Sequence, residues 1–491
     1  MVNFLSISPQ QPNKADISGF TKDQKKAYEE LIKFIDSPFD AKDYKRALVG
    51  AAGTGKTFLV KALILNSKMS YSIIGLAAPT HKACRVLGES IRIAGIKANT
   101  IQSDLGLRLN FDIDKFDPAN PPFDPKGKIK IEKYKLYIVD ESSMINRGLC
   151  MFLEKTCVTH QCKIIYIGDG SQLAPVGEKY SSTFRGTKTC TLNQIVRQGD
   201  DNPVSYLLEL LRYDIVHKTY KFLAHIQRFN EQFNADYTKG YQVCSPKDFN
   251  NIVYNNFNDE ALTTNVDYAK VISYTNANVS MWNKFIRNSI IAESDKSILT
   301  KNDLIISYVT IVNEFNDCII KNSEEYIIHD IQNYVDSRYD NQGLKGFQVR
   351  FQAIHGGEIT LPLFVLDHTD AYTIQRYVQI SNSMIETAKL ARANIRAEKW
   401  RYYYAFKEYC LLLVNIMTPN SKNVFARSLD YGFALTAHKS QGSTFDTSLV
   451  DVNDIVFDKY GQPYADAEEV NRRLYVACSR CRNKLYLKFG K

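Results

Sequence analysis

The sequence predicts an α/β chain built on parallel sheets, and three observations predict it. Gly50-Ala51-Ala52-Gly53-Thr54-Gly55-Lys56-Thr57 is a phosphate-binding loop set between the apolar run Arg46-Ala47-Leu48-Val49 and a helical pattern that starts at Phe58. Leu136-Tyr137-Ile138-Val139 is an apolar strand that ends in Asp140-Glu141. Ile164-Ile165-Tyr166-Ile167 is another, and it ends in the turn Gly168-Asp169-Gly170-Ser171-Gln172. Short apolar runs alternating with helical patterns belong to parallel sheets covered by helices.

The elements follow in order. Thr21 opens an amphipathic helix with Ala27, Leu31, Phe34 and Ile35 on one side. In the loop that follows, glycines let backbone N–H groups close round the α- and β-phosphates of a nucleotide, and the helix N-terminus adds its positive end. Lys56 reaches the β- and γ-phosphates and the Thr57 hydroxyl ligates Mg2+. Residues 106–132 interrupt the α/β alternation, because Pro118, Pro121, Pro122 and Pro125 exclude a helix interior. Lys128-Ile129-Lys130-Ile131 alternates with period two, which predicts a strand of a hairpin. Ligands gather beyond the carboxyl ends of parallel strands. Asp140 is therefore placed to hold Mg2+, and Glu141 to orient and deprotonate an attacking water. A glutamate there favours hydrolysis of ATP over transfer of its phosphate, and the Gln172 amide is placed to sense the γ-phosphate.

A second α/β region spans 198–300 and resumes near 427. Between them lie strand-like runs at Phe347–Phe351 and Ile359–Val365, then helical patterning from Tyr372 to Val414. The cluster Trp400-Arg401-Tyr402-Tyr403-Tyr404-Ala405-Phe406 suits either base stacking or a buried helix. Aromatics on several helix faces favour the buried helix.

At 491 residues the chain suits two to four domains. A net charge of +9 permits nucleic-acid binding without requiring it. The ten cysteines show no disulfide framework, and Cys478 and Cys481 form only half of a zinc spacing. No apolar stretch approaches the ~18 residues of a membrane span. Met1 to Ser18 lacks the pattern of a secretion signal, so a cytoplasmic location is expected, in a bacterium or a phage-infected cell.

Further segments stand in a fixed order around these motifs: Phe20-Thr21-Lys22-Asp23-Gln24, Ala77-Ala78-Pro79-Thr80-His81-Lys82-Ala83, Asn99-Thr100-Ile101-Gln102-Ser103, and Leu192-Asn193-Gln194-Ile195-Val196-Arg197-Gln198. Tyr274-Thr275-Asn276 follows, with Asn283 and Arg287 behind it, then Leu435–Thr444 and Leu474–Arg480. Together they resemble the RecD-like branch of superfamily 1 DNA helicases, most closely its phage members of the Dda type. The chain departs from the pattern at Ala174, where a second proline is common, and at Gln102, where a histidine is frequent.

The resemblance implies two RecA-like motor domains. The first would cover 1–197 with a hairpin insert at 106–132, and the second 198–300 plus 427–491, with 301–426 an inserted SH3-like barrel carrying a helical extension. It implies that Gln24 reads adenine, that Gly442 lies at the nucleotide, and that Arg197 and Arg480 supply cations to the γ-phosphate. Pro79, Thr80, His81, Thr100, Gln102, Ser103, Thr275, Asn276, His438 and Lys439 would grip single-stranded DNA. The hairpin would act as a strand-separating pin, with Phe111, Phe116 and Phe123 the candidate wedges; a plain surface hairpin is the alternative. The activity implied is ATP- and Mg2+-dependent unwinding with 5′-to-3′ tracking. Partners would be single-stranded and forked DNA, together with replication or single-strand-binding proteins. An RNA helicase of the same superfamily and an ATP-hydrolysing clamp that does not unwind remain open.

Overall fold

Thr21 caps α1 (Lys22–Asp36): its side chain accepts from the Gln24 N–H while Gln24 Oε1 accepts from the Thr21 N–H at 3.0 Å. The computed structural model describes residues 14–109, 123–125, 128–194, 196, 201–312, 318–417 and 424–490. They fall into two units, Met1–Asp200 and Asp201–Lys491.

In the first unit β1 (Lys45–Gly50) runs through the phosphate loop into α2 (Lys56–Asn66). There follow β2 (Ile74–Ala78), α3 (His81–Ile91), β3 (Ala98–Thr100), α4 (Ile101–Asp104), β4 (Leu107–Leu109) and β5 (Phe123–Pro125). The unit closes with β6 (Leu136–Val139), α5 (Arg147–Thr159), β7 (Lys163–Gly168) and β8 (Lys188–Leu192). Six strands make one parallel sheet in the order β3-β2-β6-β7-β1-β8. Its strands are apolar on both faces because both faces are covered. Leu136, Ile138, Ile165 and Ile167 join the core beneath α1 and α2, while their neighbours Tyr137, Val139, Ile164 and Tyr166 join the core beneath α5.

Within the interval 106–132, β4 and β5 pair antiparallel. The strand expected at Lys128–Ile131 is not one: Ile131–Lys133 is a 3-10 turn. A single buried residue, Ile131, anchors it to the core, and the Lys130 N–H donates to Asp104 O at 2.8 Å, so tertiary contacts override the local period of two.

The second unit opens with α6 (Val204–His217), α7 (Lys221–Arg228), β9 (Glu231–Phe233), β10 (Gly240–Cys244), α8 (Pro246–Phe257), α9 (Ala261–Thr264), β11 (Ala269–Ser273) and α10 (Asn276–Ile290). Next come β12 (Leu304–Ser307), β13 (Ile311–Val312), β14 (Cys318–Ile320), β15 (Glu325–Asp336), β16 (Leu344–Ala353) and β17 (Leu363–Leu366). The helices α11 (Ala371–Leu390) and α12 (Ala393–Tyr409) follow, then β18 (Ile416–Met417), β19 (Val424–Phe425) and β20 (Leu429–Tyr431). The chain ends with β21 (Ala434–Thr436), β22 (Phe445–Asp451), α13 (Val452–Val456), α14 (Ala467–Cys478) and β23 (Cys481–Lys488).

A second sheet has the order β21-β11-β22-β23-β10-β9 and is parallel except for β9. The region between its halves forms a five-stranded antiparallel sheet, β17-β16-β15-β12-β20. Where the resemblance implied an SH3-like barrel, the ladder among the described residues has an open order. It also takes in Leu429–Tyr431, beyond the 426 boundary. The run expected as a strand from Ile359 starts later, at Leu363, because Pro362 has no N–H for the ladder. In α12, Tyr403 and Phe406 are buried and Phe406 stacks on Tyr377 at 5.4 Å, whereas Tyr402 faces solvent.

Two buried ion pairs fasten the inserted sheet to the parallel one. Lys270 on β11 donates to Glu325 on β15 at 2.7 Å, and Arg287 on α10 pairs with Asp303, just before β12, at 2.7 Å. Asn283 accepts from the Ala434 N–H at 2.7 Å and donates to Tyr431 O at 2.9 Å. Asn283 and Arg287 are thus buried structural ties.

Candidate functional site

The phosphate loop is built so that nothing larger than glycine fits at its start. A Cβ on Gly50 would lie 2.6 Å from Thr54 Oγ1 and 3.0 Å from Leu192 Cβ. Gly53 and Gly55 take left-handed φ values of 83° and 79°. Lys56 Nζ donates to Gly50 O at 2.6 Å and to Ala51 O at 3.0 Å, which folds the cation over the loop. Gln24, expected to read adenine, is buried, and its amide is engaged within the protein: Oε1 in the α1 cap and Nε2 on Thr54 O at 2.9 Å. It braces the loop in this conformation.

Asp140 and Glu141 stand at the end of β6. The Asp140 N–H donates to Ala77 O at 2.8 Å, tying the turn to β2, and Asp140 Oδ1 accepts from the Glu141 N–H at 2.9 Å. Burial pushes the Asp140 carboxyl up, against the downward pulls of the Glu141 amide and the Lys56 ammonium. Glu141 has a φ of 48°, a left-handed conformation uncommon outside glycine. The Thr57 hydroxyl and the Asp140 carboxylate are the hard oxygen donors that suit Mg2+, and a dication would restore the ionised form that burial disfavours. At the end of β7, Asp169 is buried and Oδ1 accepts from the Ser171 N–H at 2.9 Å, holding the turn that carries the buried Gln172.

The end of β8 is tied to the same place. Asp23 Oδ2 accepts from the N–H groups of Asn193 and Gln194 at 2.7 and 3.0 Å, and the Val196 N–H donates to Gly53 O at 3.0 Å. Arg197, Phe111 and Phe116 lie outside the described residues; Phe123 sits in β5.

The residues expected to grip DNA take up the adjoining strand ends. Pro79, Thr80 and His81 follow β2, and Thr80 caps α3 by accepting from the Ala83 N–H at 3.2 Å. Thr100 ends β3 and caps α4 through the Ser103 N–H at 3.3 Å. Ser103 Oγ accepts from Lys130 Nζ at 3.0 Å, and Gln102 Oε1 is buried without a hydrogen-bond partner among the described residues. In the second unit Thr275 lies two residues past β11 and caps α10, while Asp454 accepts from the Tyr274 and Thr275 N–H groups and the Thr275 hydroxyl at 2.7–2.8 Å. Three expected hydroxyl contacts are therefore helix caps. The exposed Asn276 accepts from Arg427 Nη2 at 3.1 Å. His438 and Lys439 follow β21 and are half-buried; burial lowers both.

Gly442 and Arg480 come together at the opposite, amino-terminal edge of the second sheet, before β22 and β23. Gly442 has a φ of 74°. Arg480 is buried, donating to Val476 O at 3.0 Å, Ser443 O at 3.2 Å and Ser479 Oγ at 2.8 Å. Sequence reasoning missed Asp454, Arg427, and Arg473, whose guanidinium lies 3.6 Å from the centre of the Tyr274 ring while Nε and Nη1 have no hydrogen-bond partner among the described residues. No local spacing marks these three, because each is brought in by the fold.

Residues 20–232 match the family model described as an AAA domain. The chain is 23% identical to Uncharacterized protein R530 of Acanthamoeba polyphaga mimivirus, across 95% of this chain and 99% of that one. It is 33% identical over 160 residues to the ATP-dependent RecD2 DNA helicase of Deinococcus radiodurans, which is 32% of this chain and 20% of that protein. Among solved structures it is similar to the Pif1 helicase from Candida albicans, at 17% identity and a TM-score of 0.47, with 96% of this chain and 95% of that one covered.

Proposed function

We propose that this chain, similar over 160 residues to an ATP-dependent DNA helicase, is itself an ATP-dependent DNA helicase of superfamily 1. Within that superfamily it would be RecD-like and nearest the Dda type. It tracks single-stranded DNA from 5′ to 3′ and opens duplex DNA, in replication, recombination or repair of a phage type. One observation supports this above the others. Along one edge of the first sheet stand, strand by strand, Thr100, then Thr80, then Asp140-Glu141, then Gln172, then the phosphate loop. Neighbouring strands lie ~4.8 Å apart, so the four steps from Thr100 to the loop span about 19 Å. That is too far for one small ligand and close enough for one rigid sheet to link two.

In this mechanism Lys56 holds the β- and γ-phosphates, Glu141 orients and deprotonates the attacking water, and Gln172 registers the γ-phosphate. Thr57 and Asp140 would hold Mg2+, which would supply positive charge to the phosphate oxygens when bound. Arg480, with Arg197, stabilises charge developing in the transition state, a contribution of ~10³–10⁵ in rate for such arginines. DNA is held by its backbone. Thr80, Thr100 and Thr275 stand as caps at helix N-termini, whose positive ends are suited to phosphates.

The test is displacement from duplexes carrying a 5′ or a 3′ single-stranded tail, with ATPase stimulation by DNA and by RNA measured beside it. Unwinding of the 5′-tailed duplex is expected, and preference for a 3′ tail overturns the polarity. Stimulation by RNA alone favours an RNA helicase, and hydrolysis without displacement favours a clamp. Replacing the tip of 106–132 with Gly-Ser should abolish unwinding while sparing DNA-stimulated hydrolysis; retained unwinding reduces the insert to a surface hairpin.

A further inference from the structure

Gln24 stands where a reader of adenine is expected, and both ends of its amide are already committed inside the protein. Oε1 accepts from the Thr21 N–H at 3.0 Å, closing the cap of α1, and Nε2 donates to Thr54 O at 2.9 Å. A donor at one end and a carbonyl at the other fix which way the amide points. The residue is 2% exposed, and Nε2 lies so close over Gly55 that a Cβ there would come within 2.5 Å of it. A glutamine recognises adenine through N6–H and N7 together, which takes one amide oxygen and one amide N–H at an open edge. Turning the amide toward a base would break both bonds, the one to Thr54 O in a buried place.

What the loop offers a base is a flat apolar surface. Phe58 directly follows Thr57 at the start of α2 and is 56% exposed. Phe20, buried just before the α1 cap, packs edge-on against it with ring centres 5.5 Å apart. An exposed ring propped by a buried one is a stacking platform. Phe58 also walls a groove of about 490 Å³ along α2, with Thr57, Lys61 and Leu65 on its own side and Ala15 and Asp16 opposite. The Asp16 carboxylate there already accepts from the Ser18 N–H and hydroxyl, each at 2.8 Å. A phenyl platform takes any of the four bases, because every base has a π-face.

We infer that this chain hydrolyses nucleoside triphosphates with little regard to the base: Gln24 is a positioning residue of the phosphate loop, and Phe58 seats the base by stacking. The hydrolysis itself rests on the proposed function; the range of substrates goes beyond it. Gln24 acts on the triphosphate through the loop, bracing the Thr54-Gly55 turn that leads into Lys56. The two ways of meeting a base differ greatly in what they exclude. A site that hydrogen-bonds a polar group rejects a ligand lacking it by ~10⁴–10⁵, whereas apolar contact separates related ligands by only ~10–200-fold. With its amide turned inward, Gln24 leaves this site on the permissive side.

The test is steady-state hydrolysis of ATP, GTP, CTP and UTP by the full chain in the presence of single-stranded DNA. Values of kcat/KM spread over less than about 100-fold are expected. A stronger preference for ATP, or a weaker one that Gln24→Ala abolishes, overturns the inference and leaves the helicase proposal standing. Inorganic tripolyphosphate, which has no base, separates the two roles as a competitive inhibitor. Its inhibition constant should rise several-fold in Gln24→Ala and stay native in Phe58→Ala, while KM rises for all four nucleotides in both. An inhibition constant does not depend on the fraction of folded enzyme, so a general loss of structure does not imitate this pattern. If Gln24→Ala does not fold, Gln24→Met keeps the volume, loses both hydrogen bonds and should give the same result. Native inhibition by tripolyphosphate in the Gln24 variants, or native KM values in Phe58→Ala, would equally overturn the assignment. If no triphosphate is hydrolysed, the proposed function itself falls.

Discussion

Replacing Lys270 with methionine tests how the inserted sheet is held to the motor sheet. The Lys270 side chain is fully buried, and Nζ donates to Glu325 Oε1 and to Gly432 O at 2.7 Å each. The Glu325 side chain is 5% exposed, so the variant leaves a carboxylate in the core without its cation. Breaking a buried pair from one side costs about 3–5 kcal/mol, whereas exchanging both partners for apolar residues of similar volume is often neutral or better. Gly432 O loses its donor in either case, at about 1 kcal/mol. Lys270→Met should therefore cost about 3–5 kcal/mol and Lys270→Met with Glu325→Leu only about 1 kcal/mol. Urea unfolding followed by tryptophan fluorescence reads this cleanly, because the chain's two tryptophans, Trp282 and Trp400, both lie in the second unit. The midpoint should fall with the slope unchanged. A single variant within about 1 kcal/mol of native, or a double variant no better than the single, would refute the argument.

Other expectations concern the chemistry. Lys56→Ala should abolish hydrolysis, and Glu141→Gln should bind ATP yet turn over very slowly; native turnover in Glu141→Gln with DNA present would remove the general-base assignment. Arg480→Ala should reduce kcat far more than it raises KM, as the loss of a transition-state contact requires. Because its guanidinium also holds Val476 O and Ser443 O, Arg480→Lys is the companion variant, and intact turnover at saturating ATP in both would place the γ-phosphate cation elsewhere. Affinity for single-stranded DNA should fall as pH rises through about 8, where Lys439 loses its proton. The sign follows from linkage: a bound phosphate favours the protonated lysine, so binding takes up protons above that pH. Arg427, Tyr308, Asp430, Glu325 and the neighbouring His438 face or flank this group, so Lys439→Arg, which stays charged, is the control; an equal pH slope in that variant would assign the titration to another group.

Much of the candidate nucleotide site was legible because the chemistry proposed for it demands contiguous residues. A loop that wraps phosphates must be glycine-rich along consecutive positions, and an acid pair beyond a strand must directly follow an apolar run, so Gly50–Thr57 and Asp140-Glu141 announce themselves. What the sequence concealed is what distant segments assemble. Tyr308 and Arg427 belong to distant segments that the pairing of β12 with β20 brings together, and Lys439 reaches the same Tyr308 ring from the segment after β21. The left-handed Glu141 has no composition signal at all. At Lys128–Ile131 the local signal was present and misleading, since a period of two describes a strand only where a partner strand exists to pair with it.

The stretch from His438 to Ser443 shows why legible motifs can still hide their mechanical arrangement. β21, β11, β22 and β23 run parallel, so β21 ends at the carboxyl edge of the sheet while β22 begins at the amino edge. The few residues Ala437–Thr444 must therefore cross the full depth of the sheet, with no long helix to take up slack. At one end Lys439 is held by Ser323 and Asn322; at the other Ser443 O accepts from Arg480, and the Phe445 N–H donates to Arg480 O at 2.8 Å. A displacement of the first end is passed along a short, buried segment in which Ser440 and Ser443 are almost wholly enclosed. Close-packed interiors transmit such strain instead of absorbing it. On the proposed function, a strand bound at Lys439 and a nucleotide whose turnover depends on Arg480 would be linked through one short loop, and lengthening that loop by inserted glycines should weaken DNA stimulation of ATPase before it weakens binding of either ligand.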